Sequence, residues 1–312
     1  MNLARHIALR LLLGIGVLWG AATLTFVMIN TTSGDAAVTI LGGPDALPTP
    51  EALARVREEY GLTQPLLVRY THYLARLAHG DLGESYRLHI PVARAIAQQI
   101  GPTIRLAAAA AFVSVAFSLT FALLTAGRAR WIKSTASGAE LVTTSTPAFV
   151  TGILLLIAFS FRLHWFPAAG SDGWRALVLP TITLALPLAA VLSQVLRAEL
   201  DDVLEQSFIA MARARGLSEA GVRLGHALRH ALIPLVTLSS FVLAGLLGGA
   251  VVTESLFSRQ GIGRLMLDAT TNKDIPIVLG VTLISASVYV VVNFVVDLAH
   301  VAIDPRLADA PR

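Results

Sequence analysis

Six long apolar runs constrain this 312-residue chain more than any other feature. Each is long enough to cross a bilayer core, which takes about 20 residues of helix, and none contains Asp, Glu, Lys, Arg or His. The runs cover residues 11–29, 106–127, 141–161, 176–196, 231–253 and 275–296. With 14% charged residues and a mean hydropathy of +0.69, the chain has too little charge to cover a soluble globule. The sequence therefore predicts an all-α integral membrane protein with six transmembrane helices.

The first run is preceded by Arg5 and Arg10, as the apolar core of a secretory signal peptide would be. It is longer than a usual signal core, and no clear small-x-small cleavage site stands at its end. We therefore interpret it as an uncleaved first span.

The basic residues in the short segments between runs indicate the orientation. Twelve of the 24 fall on the side of the N-terminus and five on the opposite side. The first set is Arg5, Arg10, Arg128, Arg130, Lys133, Arg197, Arg213, Arg215, Arg223, Arg229, Arg306 and Arg312; the second is Arg162, Arg175, Arg259, Arg264 and Lys273. The other seven lie in the long segment after the first run, which the positive-inside rule discounts. Both termini are therefore predicted to be cytoplasmic.

The external segment, residues 31–105, is the only part large enough to fold outside the bilayer. Thr49 can cap a helix that has Gly61 just past its end. A second helix is predicted over residues 65–79, and a third, near residues 92–100, leads through a Gly-Pro pair into the second span. This segment is either a cap that stabilises the bundle or a surface that also meets an extracytoplasmic partner.

The apolar runs lack the ionisable residues that catalysis or proton transfer within the membrane would need. The chain has no cysteine and no G-x-x-x-x-G-K-[ST] sequence, which excludes thiolate sites and a phosphate-binding loop of its own. A proton-coupled carrier needs a titratable group at membrane depth, and an intramembrane enzyme needs a catalytic pair there; the runs hold neither. The histidines at run ends are interpreted as interfacial: His164, His226, His230 and His300. We expect no catalytic, cofactor or metal site, and the carrier is kept as the less favoured alternative.

The segment between the fourth and fifth runs, residues 208–234, is basic and compatible with helix. Residues 197–206 are expected to extend the fourth helix into water ahead of it. Gly216 allows a turn between two short helices, and Pro234 marks the entry to the fifth span. Small alanines allow another surface to approach closely, and arginines can pair with carboxylates: Ala210, Ala212, Ala214, Arg213 and Arg215. By composition alone, the segment also fits a helix pair resting on anionic lipid.

The order of residues here resembles the cytoplasmic "EAA" loop of ABC importer permeases, in the form found in dipeptide, oligopeptide and nickel permeases. The matching residues are Ala212, Arg213, Ala214, Gly216, His226, Leu228, Arg229 and Pro234. As is usual in the peptide class, the interval from Gly216 to Pro234 is longer than in the general loop. The resemblance implies an ATPase-coupling loop made of Ala210, Ala212, Arg213, Ala214, Arg215, Gly216, Leu217, His226, Arg229 and Pro234.

The likeness covers essentially the whole chain. It includes residues 60–66, 80–83, 146–152, 163–167, 179–187, 252–265 and 304–306. Arg259 and Gln260 depart from it, since a Trp-Pro or similar pair is often seen there. The resemblance implies external loop contacts by Glu254, Phe257, Gly261 and Gly263.

What the resemblance implies is a type I ABC importer-like permease that works by alternating access with a second homologous permease subunit. Its other partners would be two ATP-binding cassette domains, which bind ATP and Mg, and an extracytoplasmic substrate-binding protein. The complex would lie in a bacterial or archaeal cytoplasmic (inner) membrane. Short peptides are the first expected cargo, with nickel or a metal chelate as the alternative.

Glycines and prolines mark places where spans can pack closely or bend. The candidates for the translocation path or for helix packing are Thr146, Pro147, Gly152, Pro187, Gly245, Gly248 and Gly249. The predicted organisation is residues 1–30 as N-terminal segment and first span, 31–105 as external helical loop, and 106–312 as a five-span core containing the coupling loop 197–230.

The topology can be checked because the chain has no cysteine. Single cysteines at Ala52 and Ser218 are expected to react with an impermeant thiol reagent from opposite sides of the membrane. Labelling of both from the same side would contradict the predicted orientation.

Overall fold

The computed structural model describes residues 3–31, 36–41, 48–59 and 61–303, and these are nearly all helical. The helices are α1 Leu3–Thr31, α2 Ala36–Ile40, α3 Pro50–Glu59, α4 Leu66–Ala78, α5 Val92–Thr125, α6 Arg130–Ser145, α7 Ala148–Leu155, α8 Arg175–Leu204, α9 Ser207–Ala214, α10 Glu219–Gly221, α11 Leu228–Leu256, α12 Ile262–Thr271 and α13 Ile275–Ile303. Helices α7 and α10 continue as π-helical segments, Leu156–Arg162 and Val222–Ala227. Tyr60 and the motif at 304–306, both part of the resemblance, lie outside the described residues.

The chain divides into two compact units. The permease unit contains residues 102–260 and those from 291 onward, and the loop unit contains residues 2–101 and 261–290. This division concerns packing, whereas the three-part organisation predicted from sequence concerns function and stays a prediction.

In the described part of the chain, three helices are long and apolar enough to cross a membrane: Val92–Thr125, Arg175–Leu204 and Ile275–Phe294. A bent pair, Arg130–Ser145 with Ala148–Arg162, makes four if it counts as one span. The remaining two apolar runs lie in α1 and α11. The all-helical class predicted from the runs is confirmed.

The third apolar run is a broken helix rather than one continuous span. The axes of α6 and of the helix that begins at Ala148 differ by 98°. Thr146 adopts an extended backbone, with φ −86° and ψ 120°, because proline disfavours helical backbone in the residue before it. The Gly-Pro pair at residues 101–102 has no such effect, and α5 passes through it. Pro102 removes only one N–H from this long helix, so the third external helix leads through the pair into the second span, as predicted.

Helix α8 forms the centre of the permease unit, packed against α6, α7 and α11. Leu192, Leu196 and Leu200 recur every four residues on one face and are buried. They belong to a cluster that also contains Ile209 of α9 and Val222 after α10. The cytoplasmic segment predicted from sequence is therefore packed on α8 through apolar side chains.

In the loop unit, Thr49 caps α3 by accepting a hydrogen bond from the backbone N–H of Ala52, as predicted. Tyr73 of α4 stacks on Phe26 of α1, with ring centroids 5.4 Å apart, and Tyr70 bonds Thr23 at 2.6 Å. Burial raises the pKa of the Tyr73 phenol to about 12. The predicted second external helix is thus fixed on the end of α1.

A buried carboxylate fixes the turn that follows α4. Asp274 accepts hydrogen bonds from the Ser85 hydroxyl and from the backbone N–H groups of Tyr86 and Arg87, at 3.2 and 3.4 Å for the latter two. The Ser85 hydroxyl in turn accepts from the N–H of Leu88. One side chain before α13 therefore satisfies donors in a distant part of the sequence.

Packing at Gly152 leads to a stability prediction. A Cβ atom there would lie 3.1 Å from Cγ2 of Thr183 and would overlap Cδ2 of Leu256. We expect Gly152→Ala to destabilise the unit by about 1–3 kcal/mol, the usual cost of overpacking, and to lower the unfolding temperature in detergent.

Gly138→Ala in α6 is the matched control. A Cβ there meets no atom within 4 Å among the described residues, so we expect neutral or slightly raised stability. Equal unfolding temperatures for the two variants would contradict the close contact at Gly152.

Candidate functional site

Helix α9 ends in a turn that only a few residue types adopt. Gly216 has φ +85°, its N–H donates to the carbonyl of Arg213 at 2.9 Å, and the N–H of Leu217 donates to that of Ala212 at 3.4 Å. This paired pattern is the Schellman motif, in which a left-handed glycine ends a helix. The turn predicted at Gly216 is present.

The coupling segment, defined here as residues 207–234, has a buried face and an exposed face. Ile209 and Ala212 are buried in the cluster shared with α8. Ala210, Met211 and the residues of the turn, Arg213, Ala214, Arg215, Gly216 and Leu217, are exposed. The surface that approaches Ala212 closely is therefore that of α8, and a part for Ala212 in coupling stays a prediction. Its small side chain lets α9 approach the permease core.

A cross-turn ion pair closes the segment. Arg213 Nε donates to Oε1 of Glu219 at 2.7 Å, across the turn at Gly216. This hydrogen bond lowers the pKa of Glu219 and raises that of Arg213. Both groups are exposed, so the contribution to stability is small. Because the carboxyl pKa is lowered, the pair persists at neutral pH and is lost as the pH falls through the folded-state pKa.

Arg223 fastens the segment to the end of α5. Its Nη1 donates to the carbonyl of Leu123 at 3.0 Å, and its Nε lies 3.9 Å from Glu219. Leu123 lies in the last turn of α5, where carbonyls have no helical partner and a cation is favourable. The sequence did not predict this contact of Arg223, because its partner is 100 residues away.

The later residues of the predicted loop lie in a continuous helical stretch, formed by α10, the π-helical segment and α11. His226 is half-buried in the π-helical segment, and its Nδ1 has no hydrogen-bond partner among the residues described. Arg229 is exposed, and Pro234 lies within α11. A proline removes one N–H, and α11 accommodates that loss. The role of Pro234 as the entry to the fifth span stays a prediction.

A buried ion pair joins α6 to α8. Arg197 Nη1 donates to Oε1 of Glu140 at 3.0 Å, and Nη2 donates to the other carboxylate oxygen. Ser193 donates to Glu140 at 2.7 Å, and Arg197 also donates to Ser137 at 3.0 Å. The side chains of Arg197 and Glu140 are 7% and 3% exposed. Helix α8 continues to Leu204, as the predicted extension of the fourth helix requires. Arg197 itself is not exposed to water, because residues of α6 satisfy its polar groups.

A second polar contact between these helices lies one turn further along α8. Asp201 accepts from the backbone N–H of Gly127 at 2.6 Å, and its other oxygen lies 2.9 Å from Lys133 Nζ. The connection between α5 and α6 is therefore fixed to α8 close to the coupling segment.

The residues proposed for the path divide into two groups. Thr146 and Pro147 form the bend before α7. A Cβ at Gly152, Gly245 or Gly249 would press against a side chain of a neighbouring helix, whereas at Gly248 it would meet no described atom within 4 Å. Pro187 lies half-buried within α8. The first three glycines serve helix packing, and a role in the path stays a prediction.

Glu254 and Phe257, expected to make external contacts, are fully buried in the structure. Glu254 accepts a hydrogen bond from Thr103 at 2.6 Å. Arg259 donates to the carbonyl of Ala176 at 2.9 Å, and burial lowers the pKa of its guanidinium. These side chains hold the end of α11 within the permease unit, and the external loop contacts expected of Glu254 and Phe257 stay a prediction. In the loop unit, Gly261 and Gly263 are also buried, at the start of α12.

Comparison with known proteins decides the family. Residues 118–309 match the family model described as the binding-protein-dependent transport system inner membrane component. The chain belongs to this family. Its members are membrane permease subunits of ABC importers and are not the ATPases, so the chain is an inner-membrane protein that works with ATPase and substrate-binding partners.

Curated relatives extend the similarity over the whole chain. The glutathione transport system permease proteins GsiC of Escherichia coli (strain K12) and Salmonella typhi are each 35% identical over 303 residues, covering 97% of this chain and 98% of theirs. The fold resembles inward-facing structures of the MetNI methionine ABC transporter. In one, a TM-score of 0.56 at 16% identity covers 67% of this chain and 95% of that chain.

Substitutions at Gly216 test whether the turn depends on its left-handed backbone. A Cβ at Gly216 meets no described atom within 4 Å, so a substitution is resisted by the left-handed φ alone, by about 1–2 kcal/mol. We expect Gly216→Val to lower ATP hydrolysis by the assembled importer more than Gly216→Asn, since asparagine tolerates this backbone.

Gly225→Ala is the control in the same segment, because a Cβ there also meets open space and its φ lies outside the left-handed region. We expect it to match the unmodified chain. If Gly216→Val behaved like Gly216→Asn, the turn would not depend on left-handed backbone.

Proposed function

We propose that this chain is one of two homologous membrane subunits of an ATP-driven importer for short peptides, with six spans and both termini in the cytoplasm. The observation that carries the proposal is the 35% identity, over nearly the full length of both chains, to permeases named for glutathione transport. Glutathione is itself a small peptide. The positive-inside count supports the orientation.

The coupling segment would receive movement from the partner ATPase. Its exposed face, formed by residues 210, 211 and 213–217, offers small and cationic side chains to a partner surface. Its buried face, with Ile209 and Ala212, is packed on α8. A push on α9 is therefore passed to α8 through close-packed side chains rather than absorbed by a flexible loop.

The chain's part in transport is conformational. Nucleotide closure of the ATPase pair, with ATP and Mg bound there, would switch the two permease subunits between outward-facing and inward-facing states. The binding protein would deliver the peptide from outside. No bond in the cargo is made or broken by this chain.

Buried ionisable groups bear on the proton-coupled alternative. The apolar runs hold none, but the helices that contain them extend to Glu140, Arg197 and Glu254, all buried. Glu140 is paired with Arg197 and accepts two hydrogen bonds from it, so this carboxylate is already engaged within the chain. Membership of the ABC importer family also favours ATP-driven transport over a proton-coupled carrier. We therefore propose ATP as the energy source.

Uptake into sealed vesicles tests the proposal. ATP is trapped inside, the binding protein is added outside, and labelled glutathione, dialanine, trialanine and nickel are offered separately. We expect uptake of at least one of the peptides, dependent on both ATP and the binding protein, and unaffected by a protonophore.

Two controls define the outcomes. Omission of ATP or of the binding protein is expected to abolish uptake. Loss of uptake with protonophore at constant internal ATP would contradict ATP-driven transport, and uptake of nickel alone would contradict the peptide assignment.

A further inference from the structure

The buried pair between α6 and α8 is not explained by stability. Moving two charges out of water costs about as much as their attraction returns, and apolar side chains of similar volume often stabilise such a site equally well. What a hydrogen-bonded pair of this kind adds is a fixed position of one helix along the other. Four hydrogen bonds connect Glu140, Arg197 and the two flanking serines, and they fix the register of α6 along α8. An apolar contact would leave one helix freer to slide along the other.

The pair lies between the coupling segment and the bend before α7. Arg197 is about two helical turns from the end of α8 at Leu204, and α9 begins at Ser207. Glu140 lies in the last two turns of α6, which ends at Ser145 where the 98° bend begins. A rigid link at this place joins the force-receiving end of α8 to the broken span.

The exposed neighbour pair cannot supply this link by itself. Lys133 and Asp201 also join α6 to α8, but their side chains are 36% and 22% exposed. Water and ions weaken such a contact, and a long lysine side chain follows small displacements. The buried bidentate contact is the one that resists sliding.

We propose that Glu140 and Arg197 are a positioning pair that makes α6 and α8 move as one body, so that displacement of the coupling segment reaches the bend at Pro147. This inference rests on the proposed function. Without the pair, α8 moves against α6, and ATP hydrolysis no longer produces a full change of the permease state. The pair touches no substrate and acts through the helices that it aligns.

The test replaces both charges at once, because removing one would leave the other buried and unpaired. The variant Glu140→Met with Arg197→Met is assembled with its partner subunits in sealed vesicles. Uptake of the peptide transported by the unmodified importer and ATP hydrolysis are measured together. We expect hydrolysis and unfolding temperature to be retained, and uptake per ATP to fall by ~5-fold or more, the lower end of ordinary coupling between sites.

The matched control removes an exposed pair. Arg264→Gln with Asp268→Asn deletes a contact of 3.8 Å on the surface of α12, and uptake per ATP is expected to stay unchanged. Unchanged uptake per ATP in the Met double variant would overturn the inference. Lack of ATP-dependent uptake by the unmodified importer would instead contradict the proposed function.

A second measurement leaves the pair intact and does not depend on folding of the double variant. Spin labels are placed on cysteines at Thr135 of α6 and Ala198 of α8, both exposed positions in a chain without native cysteine. We expect the same distance between the labels in the nucleotide-free complex and in the complex trapped with ATP and vanadate. A change of about one helical turn, ~5 Å, between the states would overturn the inference.

Discussion

The apolar packing of the coupling segment on α8 is the contact on which the functional arrangement depends. Ile209 and Ala212 enter the same cluster as Leu196 and Leu200. A loop held only by exposed ion pairs would be mobile, because such pairs contribute little. Here the ion pair between Arg213 and Glu219 shapes the turn, and buried side chains attach it. This separation leaves the exposed face available for a partner.

Buried charged side chains have a role different from that of the apolar packing. Among the described residues of the permease unit, buried Glu140 has its partner Arg197 on another helix, and buried Arg259 donates to the backbone carbonyl of Ala176. Such groups are costly to bury unless they are paired and hydrogen-bonded. They lie at helix ends, next to the coupling segment and next to the end of α11.

The sequence was sufficient for the helical class, for the caps and turns at Thr49 and Gly216, and for the family. Those properties depend on residues close in sequence. It was not sufficient for Glu140, which reads as the polar edge of an apolar run, or for Arg197, which reads as a loop cation. Their roles depend on contacts 57 residues apart. Ala212 is a related case: a small residue beside a turn can face either a partner or its own core, and only the packing distinguishes the two.

The Asp274 contact has a consequence for biogenesis. Ser85 and Asp274 are 189 residues apart in sequence. Synthesis of that interval at about 5–20 residues per second takes ~10–40 s. During this time the donors of Ser85, Tyr86 and Arg87 have to be satisfied by water. The turn after α4 therefore reaches its final form only after Asp274 has been made, and this contact forms long after the turn itself has left the ribosome.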